Sequence, residues 1–297
     1  GTVTFYNEEL SEDEYILVND AAANSVYLMD KNADLIYEWP LGDRIIGNDV
    51  ILLNDGTLLA SLESDNPDFQ FGGQGGIIQI IDKNGQALWN FEYSTTEHRS
   101  HHDVELLPNG NVLAIAWEKM VKEEAIANGS MLGTDIFPES IIEIHPITNT
   151  IVWEYDEIND LIYLSVNYYS EVWVIDHSTN TDDAASHSGG RFGKGGDLLY
   201  RFGNPSTQND ETTERLFINN HYPNLFEPGK ILIYTNGGDL EQSTVYELKL
   251  PTELTQKTIP KTTQPEILWS FTDPELYAPK VSGAVRLPNG NTLITEG

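Results

Sequence analysis

Residues 77–91, IIQIIDKNGQALWNF, contain the pattern that decides the fold. An apolar strand at 77–81 runs into a polar turn, and a second strand with an aromatic signature follows at 88–91. Copies of the apolar strand recur at 25–30, 141–144, 172–176 and 244–248, and copies of the aromatic strand at 35–39, 152–155, 199–202 and 268–271. A fixed pair of strands that returns along the whole chain is typical of a repeat architecture.

A tight turn precedes each of these pairs. The strongest copies are Asn54-Asp55-Gly56, Asn109-Gly110 and Asn289-Gly290, and the weaker ones are Glu12-Asp13, Asn159-Asp160 and Pro228-Gly229. Asn-Gly and Asp-Gly favour hairpins in which both central residues have positive φ. Six such turns predict an all-β chain, a six-bladed β-propeller of four-stranded antiparallel blades that forms a single domain over residues 1–297.

One of the predicted blades is incomplete. In the fourth unit the aromatic strand at 152–155 leads almost directly to Asn159-Asp160 and the strand at 161–166, which leaves no room for an innermost strand, so either that blade is degenerate or a segment is missing from this sequence. The sixth unit ends after its second strand, so closing the ring needs residues 2–6 or residues absent from this sequence. The one helix that the pattern suggests lies at 119–127.

Composition limits the function classes. With 39% hydrophobic residues the chain can bury a large core, and it contains no cysteine. No apolar run approaches the ~20 residues of a membrane span. A net charge of -31 opposes binding to nucleic acid. The chain begins at Gly1 without a signal peptide, and we expect a secreted or periplasmic mature protein; the oligomeric state stays open.

Two histidine positions stand out, because propeller function usually lies where the innermost strands converge. His101 and His102 open an innermost strand in the third unit, and His221 has the equivalent place in the fifth. Imidazoles at matching places predict a shared channel for His102 and His221. The alternative is that these polar residues only line a wet channel.

Other motifs have simpler interpretations. The glycine-rich segment 193–197 resembles a phosphate cradle, but without a strand–loop–helix context it predicts a turn. The acidic loop 63–68 could hold a structural Ca²⁺, although a solvated loop is the preferred interpretation. His177 and His187 are interpreted as groups that order the loop between them, and His98 and His145 as surface or turn positions. No other metal site or cofactor is expected.

At four stretches the sequence resembles the bacterial arylsulfotransferase (aryl-sulfate sulfotransferase) family. They are HHDVELLPNGN at 101–111, WVIDHST at 173–179, GGRFGKGGDLLYRFGNP at 189–205 and SGAVRLPNGNT at 282–292. The resemblance covers roughly residues 75–297, and the stretch 189–205 is its most specific part. It implies a six-bladed propeller that transfers a sulfuryl group from a phenolic sulfate ester to a phenol acceptor without a nucleotide donor, through a sulfohistidine intermediate.

The resemblance also implies residue roles. His221 falls on the family's nucleophile and His102 on a supporting histidine, and His101, Arg191 and Asn167 are the candidate substrate-binding residues. Asn167 aligns with a family arginine, and the family's His-x-Asn-Ser motif belongs on the innermost strand that the fourth unit lacks.

Positive charge for an anionic donor is expected from four cations, Arg99, Arg191, Lys194 and Arg286, of which Arg286 is expected to pack near a turn. The alternative function is a catalytically silent propeller that binds a small ligand or a protein. A metal-assisted hydrolase that uses the channel histidines is a third hypothesis.

Overall fold

The computed structural model describes residues 2–11, 13–65, 67–69, 71–73, 75–152, 161–251 and 263–297. It divides into two compact units, residues 1–153 and 154–297. In their described residues both units consist of antiparallel sheets with only short helices, which confirms the all-β fold class. None of these helices is long and apolar enough to span a membrane.

The described part of the first unit has three sheets in which each strand pairs with the next one along the chain. Their strands are β1 Ile16–Asp20, β2 Ser25–Met29 and β3 Leu35–Glu38; β4 Ile46–Leu52, β5 Leu58–Glu63, β6 Gly76–Ile81 and β7 Ala87–Glu92; and β8 His98–Leu106, β9 Val112–Glu118, β10 Glu139–His145 and β11 Thr150–Val152. The helix α1, Lys122–Ala127, lies within the segment where the sequence predicts one.

The second unit has the same sequential pairing in its described residues. Its sheets contain β12 Leu161–Val166, β13 Glu171–Asp176 and β14 Tyr200–Phe202; β15 Asn220–Glu227, β16 Lys230–Thr235, β17 Thr244–Lys249 and β18 Glu266–Phe271; and β19 Gly283–Arg286 with β20 Thr292–Thr295. A second short helix, α2, spans Thr181–Ala184.

Five sheets of the described chain have three or four strands and the form of β-propeller blades, so the prediction of six four-stranded blades is wrong. The sixth predicted unit is only the β19–β20 hairpin. Residues 2–6 form no strand, and Val3 and Phe5 are 42% and 83% exposed, so no packing favours adding this segment to a sheet. Among the described residues, the sheet β12–β14 has three strands, as does β1–β3. The turn predicted at Asn159-Asp160 lies outside the described residues, and the single domain stays a prediction.

The aromatic strands end their sheets. β3, β7, β11, β14 and β18 each form one edge of a sheet, as expected for the last strand of a blade. In β7 and β18 the aromatic side chains are also arranged alike. Trp89 stacks on Phe91 and Trp269 stacks on Phe271, with 6.2 Å between the ring centroids in both pairs.

In the sheets β4–β7 and β15–β18 the second strand is buried on both faces. In β5, Leu58 packs with the side chains of β1–β3, whereas the next residue, Leu59, packs with those of β8–β11. In β16, Ile231 packs toward β12–β14 and Leu232 toward β19–β20. Because successive side chains of a strand point to opposite faces, each of these strands contributes to two hydrophobic clusters.

The three strong turns share one geometry. In each, the glycine N–H donates to the carbonyl of the leucine three residues earlier, as from Gly110 to Leu107 at 2.9 Å. The side chain before the glycine accepts an N–H two residues on, as Asn109 Oδ1 does from Asn111 at 2.9 Å. Only the glycine has positive φ, which is 87° at Gly110. The expected pair of positive φ values is therefore wrong, and the turn is the three-residue type with glycine in the left-handed position.

Gly110 tests this geometry. A Cβ at Gly110 would meet nothing within 4 Å, so only the backbone conformation opposes a side chain there. We expect Gly110→Ala to lower the free energy of unfolding by about 1 kcal/mol. The control is Gly133→Ala, where a Cβ also meets nothing and φ lies outside the left-handed region. Denaturant titration of both variants measures the difference, and equal effects would contradict the strained conformation at Gly110.

Candidate functional site

The candidate residues lie at interruptions of the first strand of three sheets. Between Ser100 and Val104, β8 advances four residues while its partner β9 advances two, so residues 101–103 bulge out of the ladder. β4 has the same irregularity at residues 47–49. In β15 the ladder shifts directly after His221. Bulges redirect side chains and are common beside active sites.

The bulge in β8 places His101 and His102 together, which we call the paired-histidine site. Their Nδ1 atoms are hydrogen-bonded to each other. The His101 ring lies edge-on to Trp117, with 4.4 Å between centroids. A Cβ on Gly73 would lie 2.2 Å from His101 Cε1 and 2.7 Å from His102 Nδ1, so only glycine fits against the pair.

Both imidazoles of the paired-histidine site are neutral at neutral pH. Burial, together with the neighbouring His102, lowers the pKa of His101 to about 3. Burial also lowers the pKa of His102, although hydrogen bonding to the Gly73 backbone opposes the shift. The pair can therefore donate and accept hydrogen bonds, but it supplies no positive charge.

Arg99 fixes the segment that covers the pair. Its side chain is 1% exposed, with Nη2 donating to the Gly75 carbonyl at 2.9 Å and Nη1 to the Phe69 carbonyl at 3.0 Å. Around this segment the rings of Phe69, Phe71, Trp117 and Phe137 pack together, with centroids 4.6–6.4 Å apart. Arg99 is thus a structural cation, and the pair lies beside an apolar wall.

A carboxyl pair, Asp49 and Asp103, accompanies the histidines and was missed at the sequence level. Asp49 Oδ2 accepts the Val104 N–H at 3.0 Å, and the two carboxyl groups are hydrogen-bonded. Burial, together with repulsion from Asp103 and Glu105, raises the pKa of Asp49 to about 8. Asp103 reaches solvent whereas Asp49 is partly buried, so we place a shared proton on Asp49.

His221 is the centre of the second candidate site. Its Nδ1 lies 2.6 Å from Asn236 Oδ1, and the Asn167 side-chain nitrogen lies 3.4 Å from Nδ1 and 3.5 Å from Nε2. Asn219 Nδ2 donates to Asn167 Oδ1 at 3.2 Å, which turns the Asn167 amino group toward the ring. We call these four residues the His221 site. The structure therefore brings together two of the predicted residues, His221 and Asn167.

The backbone near His221 is strained. Asn219, Tyr222, Val281 and Ser282 have φ values of 53°, 52°, 51° and 87°. Asparagine tolerates this region, but a β-branched valine does so at a cost of about 1–3 kcal/mol. Such strain concentrates at functional sites, where the surrounding structure enforces it.

The cations expected to meet an anionic donor are engaged elsewhere. Arg191 has an exposed side chain whose guanidinium lies 5.8 Å from the Phe192 ring. Lys194 Nζ donates to the carbonyls of Leu198 and Leu199, and Arg286 pairs with Glu247 and donates to Gly290 in its predicted turn.

The cation linked to the His221 site is instead Arg215. Its Nη2 donates at 2.5 Å to Ser170 Oγ, which also accepts the Asn219 N–H at 2.9 Å. Nothing in the local sequence signals this connection, because Ser170 and Arg215 are far apart along the chain.

The remaining motifs behave more simply. The segment 193–197 consists of turns, as predicted. His187 Nδ1 lies 2.8 Å from Asp197 Oδ1 at the surface. Asn66 of the acidic loop lies outside the described residues, and the described chain contains no group of three or more His, Asp or Glu side chains placed to hold a metal ion. His102 and His221 belong to different units, and their shared channel stays a prediction.

Comparison with known proteins supports the fold alone. No protein-family model matches the chain, and no curated protein does. The chain is similar to a solved structure, a protein of unknown function from Bacteroides caccae, with a TM-score of 0.54 and 16% sequence identity over 95% of this chain and 82% of that one.

The carboxyl pair predicts a pH dependence of stability. A carboxyl whose pKa is higher in the folded than in the unfolded state destabilises the fold as pH rises from about 4 through the folded pKa of about 8. We expect the free energy of unfolding to decrease from pH 5 to pH 9. In Asp49→Asn this decrease should be smaller by an amount on the order of 3 kcal/mol. Denaturant titrations at both pH values measure it. The exposed Asp43→Asn serves as the control, and an unchanged pH dependence in Asp49→Asn would contradict the buried proton.

Proposed function

We propose that the chain is an arylsulfotransferase-like enzyme in which His221 accepts a sulfuryl group from an aryl sulfate and passes it to a phenol. The observation that carries this proposal is the arrangement at His221, an imidazole hydrogen-bonded to Asn236 and flanked by the amino group of Asn167. The same histidine falls on the nucleophile position of the family that the sequence resembles. Secretion or periplasmic location belongs to the same proposal.

Sulfuryl transfer requires from the nucleophile a nitrogen with a lone pair. An imidazole nitrogen forms a bond to sulfur while the bond from sulfur to the phenolic oxygen breaks and a phenolate leaves. The acceptor phenol then attacks sulfur, the N–S bond breaks, and the acceptor's proton passes to solvent or to the departed phenolate. The covalent intermediate divides one difficult displacement into two easier ones.

Amide donors are suited to the sulfuryl oxygens. The Asn167 amino group lies 3.2 Å from the Asn220 carbonyl and 3.4–3.5 Å from the ring nitrogens of His221. Arg215 is linked to this group only indirectly, because Ser170 Oγ accepts hydrogen bonds from both Arg215 and the Asn219 N–H. Donors fixed in advance where negative charge accumulates stabilise a transition state without reorganising during the reaction. Asn167 stands where the family that the sequence resembles has an arginine, so we expect it to stabilise the sulfuryl charge less than an arginine would.

One observation favours the second candidate, a binding propeller without catalysis. In its described residues the sheet β12–β14 has no strand inside β12, so the position of the family's His-x-Asn-Ser motif is not represented there. The paired histidines are neutral and supply no cation. A small aromatic ligand or a protein partner would then use the same polar residues for recognition.

Turnover separates the two candidates. We expect the wild type to release 4-nitrophenolate from 4-nitrophenyl sulfate faster when phenol is present. His221→Ala should abolish transfer because it deletes the covalent route, whereas His102→Ala should lower the rate by about 10²–10³ and leave residual transfer. Mass spectrometry should detect one added sulfuryl group on the wild type and none on His221→Ala.

The control is His187→Ala, which removes an exposed hydrogen bond to Asp197 and should keep full activity. Transfer by His221→Ala, or an adduct mapped to another residue, would exclude His221 as the nucleophile. A wild type that is inert toward aryl sulfates but binds phenols in calorimetry would support the binding propeller instead.

A further inference from the structure

We propose that Asn236 is a positioning residue that keeps the proton of His221 on Nδ1 and thereby presents the Nε2 lone pair to the sulfuryl group. The inference rests on the function proposed for His221, but its structural half, the tautomer, can be measured without turnover.

The orientation of the Asn236 amide is determined by its partners. Its Nδ2 donates to the Ala278 carbonyl at 2.8 Å and to the Val281 carbonyl at 3.0 Å. Carbonyl oxygens only accept hydrogen bonds, so the amino group must face them. The side-chain oxygen therefore faces His221 Nδ1, at 2.6 Å.

This orientation specifies the tautomer of the imidazole. Asn236 Oδ1 is an acceptor only, so Nδ1 of His221 must carry the proton that joins them. In a neutral imidazole the other nitrogen, Nε2, then holds the lone pair. The partner of a histidine's second nitrogen commonly fixes its tautomer in this way.

Asn236 itself is held on all sides. It is 0% exposed, its N–H donates to the Asn219 carbonyl at 2.9 Å, and its carbonyl accepts from Ser243 Oγ at 3.2 Å. Ser243 Oγ also accepts the Ala278 N–H at 3.1 Å, which anchors one of the two carbonyls that orient the amide. Rotation of the amide by 180° would place its oxygen against two carbonyls and its amino group against His221, so one orientation dominates.

An amide is also a suitable partner for the intermediate. When Nε2 bonds to sulfur, the ring keeps its Nδ1 proton and becomes cationic beside the anionic sulfuryl group. The hydrogen bond to Asn236 then becomes charge-assisted and stronger. Unlike a carboxylate, the neutral amide does not favour a charged imidazolium, so the ring keeps a lone pair on Nε2, which the Asn167 amino group approaches at 3.5 Å.

The direct test is ¹⁵N NMR of the ring nitrogens in histidine-labelled protein at neutral pH. The His221 signals are assigned by their loss in His221→Gln. We expect Nδ1 to have the pyrrole-type shift of a protonated nitrogen and Nε2 the pyridine-type shift of an unprotonated one. A protonated Nε2 on a neutral ring, or an imidazolium at neutral pH, would overturn the proposal.

Variants distinguish positioning from support of the fold. In Asn236→Leu, which has no acceptor, we expect a mixture of tautomers and a fall in kcat of about 10- to 100-fold with little change in KM. Ser243→Ala removes two hydrogen bonds from the same network but leaves the Asn236 side chain in place. It should keep the Nδ1–H tautomer and most of kcat even if the melting temperature falls. Equal losses of kcat in the two variants would reduce Asn236 to a structural role.

The tautomer proposal and the proposed function can fail independently of each other. A wild type with the Nδ1–H tautomer but no turnover of aryl sulfates supports the positioning by Asn236 and contradicts the transferase. Turnover by a wild type with the opposite tautomer supports the transferase and contradicts the positioning.

Discussion

Burial of a sheet's second strand on both faces, as in β5 and β16, is the constraint on which much of this structure depends. Leu58 and Leu59 are neighbours in sequence, and both are fully buried, although they belong to different hydrophobic clusters. Such a strand has no face left for polar chemistry, because a buried polar group without a partner is costly. The candidate functional residues lie instead on the first strand of a sheet, which is paired on one edge only. There a bulge can turn polar side chains away from the core, and β4 and β8 both contain one at the same level.

Much of the fold follows from local pattern. The apolar strands, the aromatic edge strands and the glycine of the three strong turns are signalled by neighbouring residues, and the described residues have them where the sequence predicts them, except that the aromatic strand predicted at 152–155 is described only at Val152. The number of blades does not follow in this way, because it depends on whether residues 2–6 gain enough packing to join a sheet. These residues contain Val3 and Phe5, which fit a strand, yet both are exposed. Propensity without burial does not make a strand.

The site could be predicted only in part, for a related reason. His101, His102 and His221 stand out because imidazoles are rare in the chain and lie at matching places. Asn236 and Asp49 have no such signal, since asparagine and aspartate are common in turns and in so acidic a sequence. Their importance comes from partners that pairing brings close, Asn236 to His221 across the β15–β16 pair and Asp49 to Asp103 from one sheet to the next. These contacts depend on the register of strand pairing, which the periodicity of a single strand does not reveal.

The charge balance of the chain also limits how an anionic ligand can be bound. Acidic residues outnumber basic ones by 47 to 16, and Arg99, Lys194 and Arg286 bind internal carbonyls or a carboxylate. Among the described residues, the groups hydrogen-bonded to the His221 ring are neutral amides, and Arg215 is bound to Ser170. Neutral donors bind an anion more weakly than an arginine does. An aryl sulfate carries one negative charge and a good leaving group, so it needs less electrostatic help than a phosphate ester would. For the proposed transferase, the few cations therefore favour a monoanionic aromatic ester over a more highly charged substrate.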